Sequence, residues 1–244
     1  MKIIAGGVTD KGQVRVKNQD RITFHIKNDK KNILSVACIC DGIGSFDNSE
    51  IASEIVIQKI DAWLEWVWRQ YKGGMTEPEI VEELENTVHE ANEAVYLFRK
   101  EKQIQIGCTM SVILVMNKTF YIFHVGDSRI CCLRGGCLTQ ITHDEVLYCE
   151  ENGRVKSRLI NYMGKSMELW LSQLNGDVQE EDIFILGSDG LFHKLEGQDF
   201  VVLTRKVRND KQMQKICENT LELAMQRGER DNISCILLKI GSLR

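Results

Sequence analysis

The sequence predicts an α+β fold, with antiparallel sheets inside and helices packed outside them. Three observations carry that prediction. Runs such as Leu34-Ser-Val-Ala-Cys-Ile-Cys40 and Ile183-Phe-Ile-Leu-Gly-Ser188 hold no charge and read as strands covered on both faces. Two long segments between residues 49 and 100 repeat apolar residues at helical spacing. The elements run as strands, two helices, a strand meander, a strand, two helices and a strand, which is not the regular βαβ alternation of a parallel sheet.

Each element follows from local chemistry. Residues 2–8 and 21–26 alternate and read as a strand pair, joined by a polar loop over 9–20. After the run ending at Asp41 comes a two-glycine loop, then a helix start with Asn48 or Ser49 as N-cap. Ala52, Val56, Ile60, Trp63 and Val67 line one face of that helix, which reaches about Tyr71 and stops at Gly73-Gly74. Pro78 stands near the start of a second helix, where its missing N–H costs little. Ile80, Leu84, Val88, Ala91, Val95 and Phe98 repeat the spacing, so the two helices are expected as antiparallel neighbours. Their aromatics, Trp63, Trp66, Trp68 and Phe98, read as core.

Beyond Cys108 the period changes. Strands over 110–116 and 120–125 turn at Asn117-Lys118, and strands over 130–133 and 138–141 flank Gly135-Gly136, a hairpin signal. Residues 143–165 read as polar and irregular. A buried strand over 182–188, helices over 197–206 and 211–227, and a last strand over 233–240 follow. No repeat, low-complexity tract or linker interrupts the chain, which is expected to be one domain over 1–244.

With 244 residues and 43% hydrophobic content, the chain can bury a sizeable core. A net charge of −4, with no Lys/Arg stripe, argues against nucleic acid or an anionic membrane as partner. No segment approaches the roughly 20 apolar residues that span a bilayer, and the N-terminal apolar stretch is too short for a signal peptide. A cytoplasmic protein is expected. The nine cysteines are odd in number, form no CxxC pair and show no ligand spacing with the five histidines, so they read as buried, reduced thiols rather than disulfides or a zinc site.

The chemistry collects at strand ends. Asp41 closes an apolar run, and Gly42, lacking a Cβ, lets a ligand approach the backbone. Asp189-Gly190 follows the strand over 182–188, and Asp231-Asn232 opens the last strand. A single such aspartate is an ordinary turn residue, and Asp189 also reads as a cap for the helix after Gly190. Three together predict one oxygen-only site for a hard divalent cation, magnesium or manganese. Clustered carboxylates stay ionised together only where a cation compensates them.

Six motifs then occur in one order: Arg15-Val-Lys-Asn-Gln-Asp20, Asp41-Gly-Ile-Gly44, Gly107-Cys-Thr109, Val125-Gly-Asp-Ser-Arg129, Ser188-Asp-Gly190 and Asp231-Asn-Ile233. In this the whole chain resembles the type 2C metal-dependent serine/threonine protein phosphatases, particularly the compact bacterial members. The resemblance implies a four-layer α-β-β-α sandwich, two packed, mainly antiparallel sheets flanked by helix pairs. It implies hydrolysis of phosphoserine and phosphothreonine in proteins by a water activated between two Mn2+ or Mg2+ ions. By resemblance, Asp41 bridges the two ions and the Gly42 carbonyl binds the second, while Asp189 and Asp231 complete the first. Asp20 resembles the residue that holds metal-bound waters, and Asp127 with Asp189 the site of a third, weaker ion. Arg15 resembles the clamp on the substrate phosphate, a task its planar fork suits. Asp127 also has a purely structural reading, a pair with Arg129. The implied partners are phosphoproteins made by a serine/threonine kinase, met by a monomer.

The departures from the family pattern carry their own expectations. Gln19 stands where a glutamate is usual and predicts weaker metal affinity. Ile43 replaces a histidine of some eukaryotic relatives, leaving water as general acid. Ser45 and Phe46 replace a glycine and a histidine at the pocket rim. The flap around 143–160 is shortened, which predicts an open cleft. Gln19 also favours the alternative, a catalytically weak pseudophosphatase that binds phosphoproteins or a regulator.

Overall fold

Strands without charge need cover on both faces, and the molecule supplies it with four layers. The computed structural model describes residues 1–29, 31–151 and 154–243. Its elements in order are β1 (Ile3–Asp10), β2 (Arg21–Asn28), β3 (Ile33–Cys40), α1 (Ser49–Lys72), α2 (Glu77–Lys102), β4 (Met110–Met116), β5 (Thr119–Val125), β6 (Arg129–Arg134) and β7 (Cys137–Gln140). Then follow β8 (Val146–Glu151), β9 (Arg154–Leu159), β10 (Ser172–Asp177), β11 (Ile183–Gly187), α3 (Asp189–Phe192), α4 (Gly197–Thr204), α5 (Asp210–Gln226) and β12 (Ile233–Ile240). One sheet has the order β1-β12-β11-β6-β7, the other β10-β5-β4-β3-β2, and β8-β9 form a separate hairpin.

The period-2 alternation of the strands decides the layering. In β3, Leu34, Val36, Cys38 and Cys40 pack under α1 and α2, while Ala37 and Ile39 face the other sheet. In β12, Ile233, Cys235 and Leu237 pack with α4 and α5, while Ile236, Leu238 and Ile240 join the central layer. Phe120 and Phe184 meet edge to face in that layer, 5.2 Å between centroids. Each fully buried Ile, Leu or Val contributes about 1.5–3 kcal/mol, so both faces of β3 and β12 hold the sandwich together.

The helical spacing is realised on α1 and α2. Ala52, Val56, Ile60, Trp63 and Val67, and opposite them Ile80, Leu84, Val88, Ala91 and Val95, are all buried. Thr76 and Glu79 form a capping box at the start of α2, with Pro78 in its first turn.

Several expectations need correction. Residues 2–8 and 21–26 do not pair with each other: β1 pairs with β12 and β2 with β3. The polar loop between them is long enough to cross from one sheet to the other. Of the aromatics assigned to the core, Trp63 is buried but Trp66 is 40% exposed, and Trp68 packs at the rim. At 3.6 residues per turn these two flank the apolar stripe on either side. Residues 143–165 are not irregular, because β8 and β9 pair antiparallel within them. The polar strand β10 went unread and adds to β5 as a sheet edge. Cys38, Cys40, Cys108, Cys131, Cys132, Cys217 and Cys235 are buried free thiols, whereas Cys137 is exposed.

Candidate metal and phosphate site

Antiparallel register brings five separate strand ends to one end of the sandwich. Cys40 at the exit of β3 lies opposite Arg21 at the entry of β2. Val125 at the exit of β5 lies opposite Met110 at the entry of β4. Gly187 at the exit of β11 lies opposite Arg129 of β6 and Cys235 of β12. Asp20, Asp41, Asp127, Asp189 and Asp231 each sit just outside one of these ends. Asp41, Gly42, Asp127, Asp189 and Asp231 line a single open cavity of ≈ 490 Å³ together with Arg15, Ile43, Gly44, Ser45, Thr109, Ser157 and Leu159.

Each aspartate is held from behind. Asp41 is pinned through its backbone: its N–H donates to Thr109 Oγ1 at 3.0 Å, and its carbonyl accepts from the Thr109 N–H at 2.8 Å. Thr109 Oγ1 in turn contacts Ser128 Oγ. Gly126, with φ +108°, makes the turn into Asp127, and a Cβ there would meet Thr109 Cγ2 at 2.7 Å. Arg129 does not pair with Asp127. It forks onto Asp144, at 2.9 and 2.6 Å, and Asp127 is left to the cavity.

Asp20 lies fully buried behind the lining. Its Oδ2 accepts from Ser234 Oγ at 2.6 Å, while Oδ1 has no hydrogen-bond partner. Asn232 ties the loop that carries Arg15 to the start of β12. Its Oδ1 accepts from the Gln19 N–H at 2.9 Å, and its Nδ2 donates to the carbonyls of Lys11 and Lys17 at 2.9 and 3.0 Å.

The electrostatics are those of crowded carboxylates. Burial first, and then Asp20, Asp189, Asp127 and Asp231, pushes the Asp41 carboxyl well above its usual range. Burial raises Asp189 as well, against the opposing pull of His193. Asp20 is pushed up to about 6, chiefly by burial and against the hydrogen bond from Ser234. Asp127 reaches about 6 through burial with Asp189 and Asp144 nearby.

Arg15 brings a guanidinium to this end. Its Nε and a terminal nitrogen donate to the two oxygens of Asp231 at 2.7 and 2.6 Å, and that hydrogen bonding raises its own pKa further. The fork expected on a phosphate therefore rests on an aspartate expected to bind metal. Among the described residues, no three His, Cys, Asp or Glu side chains close on one point as a complete ligand set. The donor chemistry still fits a hard divalent cation. Every polar side chain that lines the cavity, apart from Arg15, ends in oxygen, burial and then neighbouring carboxylates raise Asp41 and Asp127, and Asp20 Oδ1 is a buried orphan. Mg2+ and Mn2+ ordinarily keep several waters beside a few carboxylates, so an incomplete protein cage suits them.

Gln19 packs against Gly42, where an added Cβ would meet the Gln19 Cβ at 2.7 Å. Its Nε2 donates to the Phe46 carbonyl at 2.8 Å, bracing the loop after Asp41. Phe46 turns from the cavity to stack edge-on against Tyr162, 6.2 Å between centroids. Ser157 and Leu159 of the β8–β9 hairpin were missed as site residues. The signal was present: Asn152-Gly153, a strong hairpin dipeptide, separates the two runs, though these two residues lie outside the described ones.

The layered fold and a cavity of carboxylates beside an arginine suit a hard divalent cation and a phosphate. The chain belongs to the protein phosphatase 2C family, whose sequence profile matches residues 11–237. A putative protein phosphatase 2C-type of Streptococcus pyogenes is 28% identical over 245 residues, covering 94% of each chain. The serine/threonine phosphatase stp of Listeria innocua is 25% identical, over 95% of this chain and 93% of its own. The serine/threonine phosphatase of S. agalactiae superposes with a TM-score of 0.79 at 21% identity, covering 98% of this chain and all of that one. The catalytic domain of the phosphatase PstP, solved in complex with two manganese ions, superposes with a TM-score of 0.75 at 21% identity, over 98% and 99% of the two chains.

Proposed function

We propose that this protein hydrolyses phosphoserine and phosphothreonine in proteins, using Mn2+ or Mg2+ at the acidic cavity. One observation carries the reading: aspartates from four separate segments line one open cavity beside an arginine fork. Asp41, the Gly42 carbonyl, Asp189 and Asp231 would hold the divalent cations. Asp127 with Asp189 would take a third, weaker ion. When bound, divalent cations supply an acidified water and positive charge opposite the phosphoryl oxygens. Asp20, buried behind the lining with Oδ1 unpartnered, holds waters in place for that chemistry. Arg15 orients the phosphate, whose oxygens compete with Asp231 for the guanidinium. Ile43, at the cavity wall, offers no proton, so water protonates the leaving serine or threonine oxygen.

The substrates are phosphoproteins made by a serine/threonine kinase, and the chain acts as a monomer with one catalytic domain over 1–244. A cytoplasmic location is supported by seven buried free thiols, which suit a reducing compartment. No helix among the described residues is long and apolar enough to cross a membrane.

The test is hydrolysis of p-nitrophenyl phosphate and of a phosphothreonine peptide, each with and without Mn2+. Mn2+-dependent turnover is expected, reduced at least about 100-fold in Asp41→Asn. Folded protein with no turnover in Mn2+ refutes the reading and leaves a phosphoprotein-binding module.

A further inference from the structure

A buried carboxylate outside the six motifs stands between two of the cavity aspartates. Glu229 is 5% exposed. Its Oε1 accepts from the backbone N–H groups of Arg230 at 2.7 Å and Asp231 at 2.9 Å. Its Oε2 is buried with no hydrogen bond and faces His193 Nδ1 at 3.4 Å. The other nitrogen of that imidazole, Nε2, lies 3.7 Å from Asp189 Oδ2. A continuous line of contacts therefore runs from the Asp231 backbone through Glu229 and His193 to the Asp189 carboxylate. The two segments also touch directly, since a Cβ on Gly190 would lie 2.4 Å from the Asn232 carbonyl.

We propose that Glu229 and His193 form a positioning strap that fixes Asp189 relative to Asp231, and so sets the affinity for the divalent cation these aspartates share. The inference rests on the metal-site reading above. A turn cap over residues 229–231 needs only one acceptor oxygen, which Oε1 provides. The second oxygen is desolvated without a hydrogen bond, a cost that a cap alone does not explain. What stands opposite it is the imidazole, whose far nitrogen reaches the aspartate. His193 touches Asp189 and Glu229 at ion-pair distance, 3.7 and 3.4 Å, and removing an outer partner that orients a metal ligand weakens metal affinity about 10–100-fold.

The experiment titrates the full chain with Mn2+ alone, by calorimetry, without substrate. Variants are His193→Ala, His193→Gln, Glu229→Gln and the control Asp189→Asn. Glu229→Gln keeps an oxygen for the Arg230 and Asp231 N–H groups, and the His193 side chain is 52% exposed, so each variant is expected to fold. His193→Ala should bind Mn2+ about 10–100-fold more weakly, and His193→Gln, which retains an N–H, less weakly than that. The double variant His193→Ala with Glu229→Gln should lose less than the two single losses combined, because both break one strap. His193→Ala binding Mn2+ like the parent, while Asp189→Asn does not, overturns the strap. Asp189→Asn binding like the parent overturns the metal-site reading itself, and the strap with it.

Discussion

Replacing Asn232 with alanine should unfasten the loop that carries Arg15. The side chain is 6% exposed and makes three hydrogen bonds, one from the Gln19 N–H and two to the carbonyls of Lys11 and Lys17. At about 0.5–1.5 kcal/mol each, their loss sums to about 1.5–4.5 kcal/mol. A middle value of about 3 kcal/mol lowers the melting temperature of a chain this size by about 6–12 °C. The same bonds hold residues 11–19 against the start of β12, so Arg15 loses its fixed place beside Asp231. Misplacing a phosphate-orienting group by about 1 Å can lower kcat/KM by about 100-fold. Thermal unfolding and p-nitrophenyl phosphate kinetics in Mn2+ measure the two effects separately. A variant as stable as the parent, with unchanged kcat/KM, refutes the view that Asn232 fastens this loop.

Further outcomes follow from the carboxylates and from Gln19. Asp20 and Asp127, pushed up to about 6, hold protons in the metal-free fold at pH values where the unfolded chain has released them. Their contribution to stability is therefore present at low pH and is lost as pH rises from about 4 to about 6. A cation needs them ionised, so Mn2+ should bind more weakly at about pH 5.5 than at about pH 7.5; equal affinities by calorimetry contradict this. Gln19→Glu should tighten Mn2+ binding by restoring a charge beside the site, at a loss of about 1–3 kcal/mol of stability as the bond to the Phe46 carbonyl goes. An unchanged Mn2+ requirement counts against the first half, and an unchanged unfolding midpoint against the second.

Much of this was legible because burial leaves a strong mark on sequence. β3, β11 and β12 lie between two layers, so both faces must be apolar and the runs stand out. The stripe on α1 and α2 is equally forced by the sheet beneath it. In the β8–β9 hairpin Leu147 and Tyr148 are exposed, so its apolar residues mark no buried face, which is why it read as irregular. β10, Ser172–Asp177, alternates half-buried with exposed positions and is held by backbone pairing with β5, which needs no apolar pattern. The aspartates could be named from strand exits, but their convergence depends on register across two sheets. Asp231 resting on Arg15, Gln19 on Phe46, and Glu229 on His193 are contacts across long stretches of chain that no local pattern encodes.

The place of β12 between β1 and β11 has a consequence for how the protein comes into being. Its partners β1 and β11 both precede it along the chain, so the sheet has an empty slot until residues 233–240 have been synthesised. Asp231, just ahead of that strand, arrives with it. A nascent chain already holding Asp20, Asp41, Asp127 and Asp189 lacks the piece that completes the acidic pocket. Birth of the activity is thereby deferred until β12 has left the ribosome.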